Sequence, residues 1–119
     1  MITRCCYLGL LGLLSAASSA AGQAPNGQEL YQLSCKKCHG VLGVPPKAIQ
    51  KKMEKVVTFD STFATKFSED SIVKILVKGG KSEDMKSFKD KLSHDEMVAV
   101  AKYVRQLATR PKAAPGATP

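Results

Sequence analysis

The segment LSCKKCHG, Leu33 to Gly40, places two cysteines three positions apart and a histidine directly after the second. Such a Cys-x-x-Cys-His pattern has three interpretations: a redox dithiol, part of a zinc site, or an attachment point for haem. On a helix Cys35 and Cys38 share one face, so both thiols can reach the vinyl groups of one haem. His39 is then placed to donate a nitrogen to the iron.

The first two interpretations need features that the sequence does not offer. A thioredoxin-type dithiol follows a strand in an α/β pattern, and no convincing strand is found here. A zinc site needs further ligands, but the other two cysteines lie in the N-terminal segment, and the only other histidine is His94. The pattern therefore favours haem attachment, with the dithiol and the zinc site as the alternatives.

The N-terminal segment has the features of a cleaved signal peptide. Arg4 precedes an apolar run from Tyr7 to Leu14, and small residues follow that run. We predict that residues 1–22 are a signal peptide, cut after one of the residues Ala20–Gly22. The run is shorter than the roughly 20 residues that span a membrane. We therefore expect an exported protein in the periplasm, without stable membrane insertion.

Composition limits the partners. The chain has 119 residues, 18 of them basic and 10 acidic, with a formal net charge of +8. Its length fits one domain, which we place at residues 23–108, followed by a disordered Pro- and Ala-rich tail at 109–119. Because the excess charge is almost all lysine, we expect partner proteins with an acidic docking surface. Export, few arginines and few aromatic residues argue against nucleic acid.

Two helices are predicted from their caps and apolar spacing in the first two thirds of the chain. The first covers residues 26–39, with Asn26 as N-cap and Glu29 completing a capping box. The second covers residues 68–80, with Ser68 as N-cap and a glycine pair at its end.

The last helix is predicted over residues 93–108, where Ser93 and Glu96 form a second capping box. Arg105 near its end suits the negative pole of the helix dipole. A shorter helix is expected around residues 48–56. The sequence thus predicts an all-α domain of three to five helices.

The order of these features resembles that of class I cytochromes c, the small, soluble c-type cytochromes with one haem. In that family the haem motif ends the first helix, a methionine loop follows the middle helix, and the last helix packs across the first. The resemblance covers residues 26–108. It implies the cytochrome c fold wrapped around one covalently bound haem c, held by Cys35, Cys38 and His39. It also implies a monomeric one-electron carrier and not an enzyme.

The resemblance implies a second axial ligand to the iron. Met85, in the loop GGKSEDMKSF, stands where the family carries its methionine. Family members often show Met-Pro and then an aromatic residue; here Lys86 replaces the proline and Phe88 can fill the aromatic place. The other candidates for this ligand are Met53, Met97 and His94.

The resemblance also assigns supporting roles. The carbonyl of Pro45 or Pro46 is expected to accept a hydrogen bond from the iron-binding imidazole. Tyr31 and Tyr103 are expected to pair where the first and last helices cross, with Gly27 allowing the close contact.

Two other functions stay open at this stage. The chain could be a haem c subunit held by a larger redox enzyme. It could be a haem peroxidase or gas sensor if the sixth iron position is open. For an electron carrier, a ring of lysines flanking the predicted ligand segments would steer an acidic partner. These are Lys36, Lys37, Lys78, Lys81, Lys86, Lys89 and Lys91.

Overall fold

A computed structural model of the chain describes residues 22–111. The predicted signal peptide and the end of the predicted tail lie outside this range, apart from Gly22 and the tail's first residues. The described residues form helices and no strand, which confirms the all-α class. The helices are α1 (Gly27–Ser34), α2 (Lys36–His39), α3 (Lys47–Lys52), α4 (Ser61–Lys66), α5 (Glu69–Lys78) and α6 (His94–Thr109).

The predicted N-caps form. The Asn26 side chain accepts hydrogen bonds from two backbone amides in the first turn of α1, at 3.1 and 3.2 Å. Ser68 accepts one from the amide of Ser71 at 3.2 Å. At the start of α6 both halves of the capping box are present, between Ser93 and Glu96. These caps satisfy amides that would otherwise lack a partner, and they determine where the three longest helices begin.

The helical segments are more numerous than the three to five expected. The first predicted helix divides at Cys35, whose φ of −118° and ψ of −36° interrupt it before α2. The helix expected around residues 48–56 ends at Lys52. Helix α4 was not predicted; the carboxylate of Asp60 caps it by accepting a bond of 2.9 Å from the amide of Phe63.

Helix α6 is the centre of the core and packs against α1, α4 and α5. Burial of its apolar face removes a large nonpolar area from water, which is the dominant stabilising term in a domain of this size. The buried apolar residues of α6 recur at helical spacing: Met97, Val100, Ala101, Tyr103, Val104, Leu107 and Ala108.

The crossing of α1 and α6 has the close contact that was expected. A Cβ atom at Gly27 would overlap the carbonyl oxygen of Ala99. One turn later, Tyr31 and Tyr103 pack edge to face, with ring centroids 5.3 Å apart and an interplanar angle of 61°. The glycine therefore allows two helix backbones to approach closely enough for the tyrosines to meet.

Arg105 has a different role from the one predicted. Its guanidinium donates hydrogen bonds to the carbonyls of Ala64 and Phe67, the latter at 2.6 Å. These carbonyls lie at the C-terminal end of α4, so the charge complements the dipole of that helix and not of its own. The bonds tie α4 to α6.

We predict that Gly27→Ala destabilises the folded protein by about 1–3 kcal/mol or more, because the added methyl group forces α1 away from α6. Urea unfolding of the purified protein measures this effect. Gln28→Ala, at the next and exposed position of α1, serves as the control and should change the free energy of unfolding by less than about 0.5 kcal/mol. Equal effects of the two substitutions would contradict the close crossing.

Candidate functional site

The haem motif forms a single turn of helix. Cys35 ends α1 and begins α2, and its carbonyl accepts hydrogen bonds from the amides of Cys38 and His39, at 3.2 and 3.0 Å. Both cysteines are free thiols and partly buried. The turn therefore brings both sulfurs and the imidazole together in one short segment.

The loop after the motif is fastened on two sides. Gly40 has a φ of 76°, and a Cβ there would overlap the carbonyl oxygen of Val44. The hydroxyl of Tyr31 donates a hydrogen bond of 2.7 Å to the Gly40 carbonyl. The amide of Phe59 donates one of 2.8 Å to the carbonyl of Gly43. The backbone on either side of this turn is thus held by residues from α1 and from the segment before α4.

The imidazole of His39 is in an unusual environment. Burial lowers its pKa, and the Val57 backbone nearby opposes part of that decrease. The side chain is therefore neutral at pH 7, the form that binds a metal. Its Nδ1 atom is buried and has no hydrogen-bond partner. One face of the ring stacks on Phe59, with centroids 4.7 Å apart and an interplanar angle of 18°.

The carbonyl support expected for this imidazole is not formed. The carbonyl of Pro45 instead accepts a hydrogen bond of 2.7 Å from the side-chain amide of Gln50. The carbonyl of Pro46 accepts the backbone amides of Ile49 and Gln50, at 2.9 and 3.0 Å. Both proline carbonyls therefore accept hydrogen bonds from residues of α3.

The Cys35 thiol does not resemble the reactive thiol of a redox dithiol. Burial, with a smaller contribution from Cys38, raises the pKa of the Cys35 thiol to about 11. Reactive dithiols instead have a lowered thiol pKa, because the thiolate is the nucleophile. For the zinc interpretation, no three side chains of the His, Cys, Asp and Glu types are grouped as a metal site among residues 22–111.

The loop that carries Met85 is fastened to the end of α5. The amide of Gly80 donates a hydrogen bond of 2.8 Å to the Met85 carbonyl. Ser87 and Phe88 donate bonds of 2.5 and 2.8 Å to carbonyls in the last turns of α5. These bonds hold the loop in place although Lys86 stands where the family often has proline.

The Met85 side chain is partly buried and packs against the same core as Cys35. A Cβ at Gly80 would lie 2.8 Å from Cβ and 3.3 Å from Sδ of Met85. The sequence analysis assigned Gly80 only to a helix end and missed this contact. Only glycine leaves room for the methionine here.

The other candidate ligands lie elsewhere. Met97 is 5% exposed, inside the core on α6. His94 is exposed at the first position of α6, and Met53 is the partly buried residue that ends α3. Met85 therefore remains the candidate that lies in a loop and meets the edge of the core.

Exposed apolar side chains cluster around the motif. The large hydrophobic residues that are exposed are Leu33, Val41, Leu42, Val44 and Val57. All but one lie within five residues of the motif, and the last is next to the imidazole. A flat apolar group held by the two thiols would cover side chains of this kind. Together with the free thiols and the unpartnered imidazole nitrogen, this arrangement fits a haem.

Comparison with known proteins agrees with this geometry. Residues 22–104 match the family described as cytochrome c oxidase, cbb3-type, subunit III. A solved structure, that of the KustC0563 c-type cytochrome, has 32% sequence identity and a TM-score of 0.62, covering 70% of this chain and 98% of that one. No curated protein matches the chain. Among residues 22–111, no helix has the length and apolar character needed to cross a membrane.

We predict that the bond from Tyr31 makes stability fall at alkaline pH. Burial raises the pKa of Tyr31 above its ordinary value of about 10, so the unfolded chain releases this proton at a lower pH than the folded one. That contribution to stability is complete below about pH 10 and is lost as the pH rises further. Tyr31→Phe should cost about 1 kcal/mol near pH 8, through loss of the bond to Gly40.

Urea unfolding of both proteins at about pH 8 and about pH 11 tests this prediction. The difference in free energy of unfolding between wild type and Tyr31→Phe should be smaller at the higher pH, because only the wild type has a buried hydroxyl that must stay protonated in the folded state. A difference that is the same at both values would show that the hydroxyl does not titrate differently on folding.

Proposed function

Because the chain belongs to the c-type cytochromes, a family defined by haem-based electron transfer, we propose that it is a one-electron carrier and not an enzyme. One observation carries the proposal: two free, partly buried thiols and a neutral, partly buried imidazole lie together in the single turn formed by Cys35 and α2. This donor set suits covalent attachment of one haem c and ligation of its iron.

Each residue of the motif then has a defined task. Cys35 and Cys38 would form thioether bonds to the haem vinyl groups, and His39 would bind the iron from one side. The haem, when bound, supplies an iron that alternates between the ferric and ferrous states. Because the imidazole is partly buried and already neutral at pH 7, it would bind the iron without first losing a proton.

Met85 would bind the iron from the other side. Its loop is fastened to α5 and its side chain is fitted against Gly80, so the thioether can be held in place through both oxidation states. A thioether ligand raises the reduction potential. If His39 and Met85 both bound the iron, no position would be left for a substrate or a gas, which favours a carrier over a peroxidase or sensor.

The partner is proposed to be a redox protein with an acidic surface, met in the periplasm by a monomeric carrier. All seven lysines of the predicted ring are exposed. Charges of one sign around a docking surface raise the association rate, and salt weakens the effect. Electron-transfer rates that do not change with ionic strength would exclude this steering.

A second candidate follows from the matched family. Its description names a subunit of a cytochrome c oxidase, so this chain could be a haem c module held by a larger redox enzyme. Size-exclusion chromatography of a native extract distinguishes the two. A free carrier elutes at the size of the single chain, whereas a subunit elutes with its enzyme.

We predict that the oxidised protein shows a weak red absorption band from sulfur-to-iron charge transfer, and that Met85→Ala abolishes it. The reduced variant should then bind carbon monoxide readily, because one axial position is open. Met97→Leu is the matched control, since it changes a core methionine and should keep the band.

Absence of the band from the wild type, with rapid binding of carbon monoxide to its reduced form, would contradict ligation by Met85. The peroxidase or sensor function would then replace the carrier. Loss of the band in Met97→Leu, together with its retention in Met85→Ala, would instead show that Met97 and not Met85 binds the iron.

A further inference from the structure

The flat contact between His39 and Phe59 has no part in the function described so far. The two rings stack at 4.7 Å with an interplanar angle of 18°. Phe59 is a core residue, 8% exposed. Nearly parallel rings at this separation are within the range of favourable aromatic contact.

Phe59 is itself held in place on several sides. Its amide donates a hydrogen bond of 2.8 Å to the Gly43 carbonyl. Its ring meets Tyr31 edge to face at 6.3 Å and lies tilted on Phe63 at 4.8 Å. A Cβ at Gly43 would lie 2.9 Å from the Phe59 side chain, so the loop after the motif closes directly on it. A ring packed in this way cannot turn without moving its neighbours.

No hydrogen bond of ordinary geometry performs the same task for the imidazole, although the Val57 backbone lies close enough to oppose part of the decrease in its pKa. Its Nδ1 atom is buried without a partner, and the carbonyls of Pro45 and Pro46 are engaged by α3. In many metal sites a hydrogen bond to the second ring nitrogen sets the orientation of the histidine. Here packing has to supply much of the orientation, and the ring of Phe59 is the stacking partner on one face of the imidazole.

We propose that Phe59 is a positioning residue for the axial histidine: its ring fixes the plane of the His39 imidazole at the iron. The proposal rests on the haem function proposed above. The plane of an axial imidazole, together with the orientation of the second axial ligand, determines how the unpaired electron of a ferric haem is distributed over the porphyrin. The positions of the haem methyl resonances in the proton NMR spectrum report that distribution.

The test compares substitutions in haem-loaded protein. Phe59→Leu removes the stack, and Phe59→Met does so with an unbranched, flexible side chain of similar volume that can fill the gap differently. Phe63→Leu is the matched control, because Phe63 is also 8% exposed and packs against Phe59. The imidazole stacks on Phe59 and not on Phe63. Phe59→Tyr keeps the ring and is the conservative rescue. Urea unfolding of each variant measures the stability lost.

We expect Phe59→Leu and Phe59→Met to shift the haem methyl resonances. Phe63→Leu should lose a similar amount of stability but retain the wild-type pattern of resonances, and Phe59→Tyr should retain that pattern as well. An unchanged pattern in Phe59→Leu, or an equal change in Phe63→Leu, would overturn the positioning role. If neither non-aromatic variant takes up haem, ring-to-ring nuclear Overhauser effects between His39 and Phe59 in the reduced wild type decide. Their presence supports the stack and their absence refutes it.

Failure of the proposed function gives a different result. A wild-type protein that carries no covalent haem refutes the carrier function before any variant is compared. A wild type with covalent haem and a methionine-ligated spectrum, but without an effect at Phe59, refutes only the positioning role.

Discussion

The close approach of α1 to α6 at Gly27 is the contact on which the position of the site depends. It lets Tyr31 reach the core, where its ring packs on Tyr103 and its hydroxyl bonds the carbonyl of Gly40. That bond holds the end of α2, and with it the motif. A domain of this size has a small core, so one misplaced crossing would displace both the helix that carries the cysteines and the loop that follows them.

The site combines neutral groups inside with charge outside. Burial keeps the Cys35 thiol and the His39 imidazole uncharged, while the lysines near the ligand segments remain exposed. An uncharged donor set is suited to binding a large apolar cofactor, since no ionised side chain has to be removed from water. The cysteines that would attach a haem and the lysines that would attract the proposed partner are therefore different residues, although Lys36 and Lys37 lie between the two cysteines.

Much of the fold could be predicted because its signals are local. The caps at Asn26, Ser68 and Ser93 and the apolar stripe of α6 need only residues a few positions apart. The motif of Cys35, Cys38 and His39 is local as well, and so was recognisable. Features that depend on the folded chain were missed or misassigned. Arg105 binds carbonyls at the end of α4, and Phe59 stacks on the imidazole of His39; both contacts join residues that are distant in sequence. The carbonyls of Pro45 and Pro46 accept hydrogen bonds from α3, which the sequence could not distinguish from a bond to the imidazole.

Covalent attachment of haem at Cys35 and Cys38 is the central claim, and the intact mass of the exported protein tests it most directly. The protein would be expressed with its N-terminal segment in a host that attaches haem, then unfolded in acid and weighed by mass spectrometry. The expected result is a mass equal to the chain plus one haem, which is lost when both cysteines are replaced by serine. Haem that dissociates from the unfolded wild-type chain, or a chain without haem, would contradict the claim.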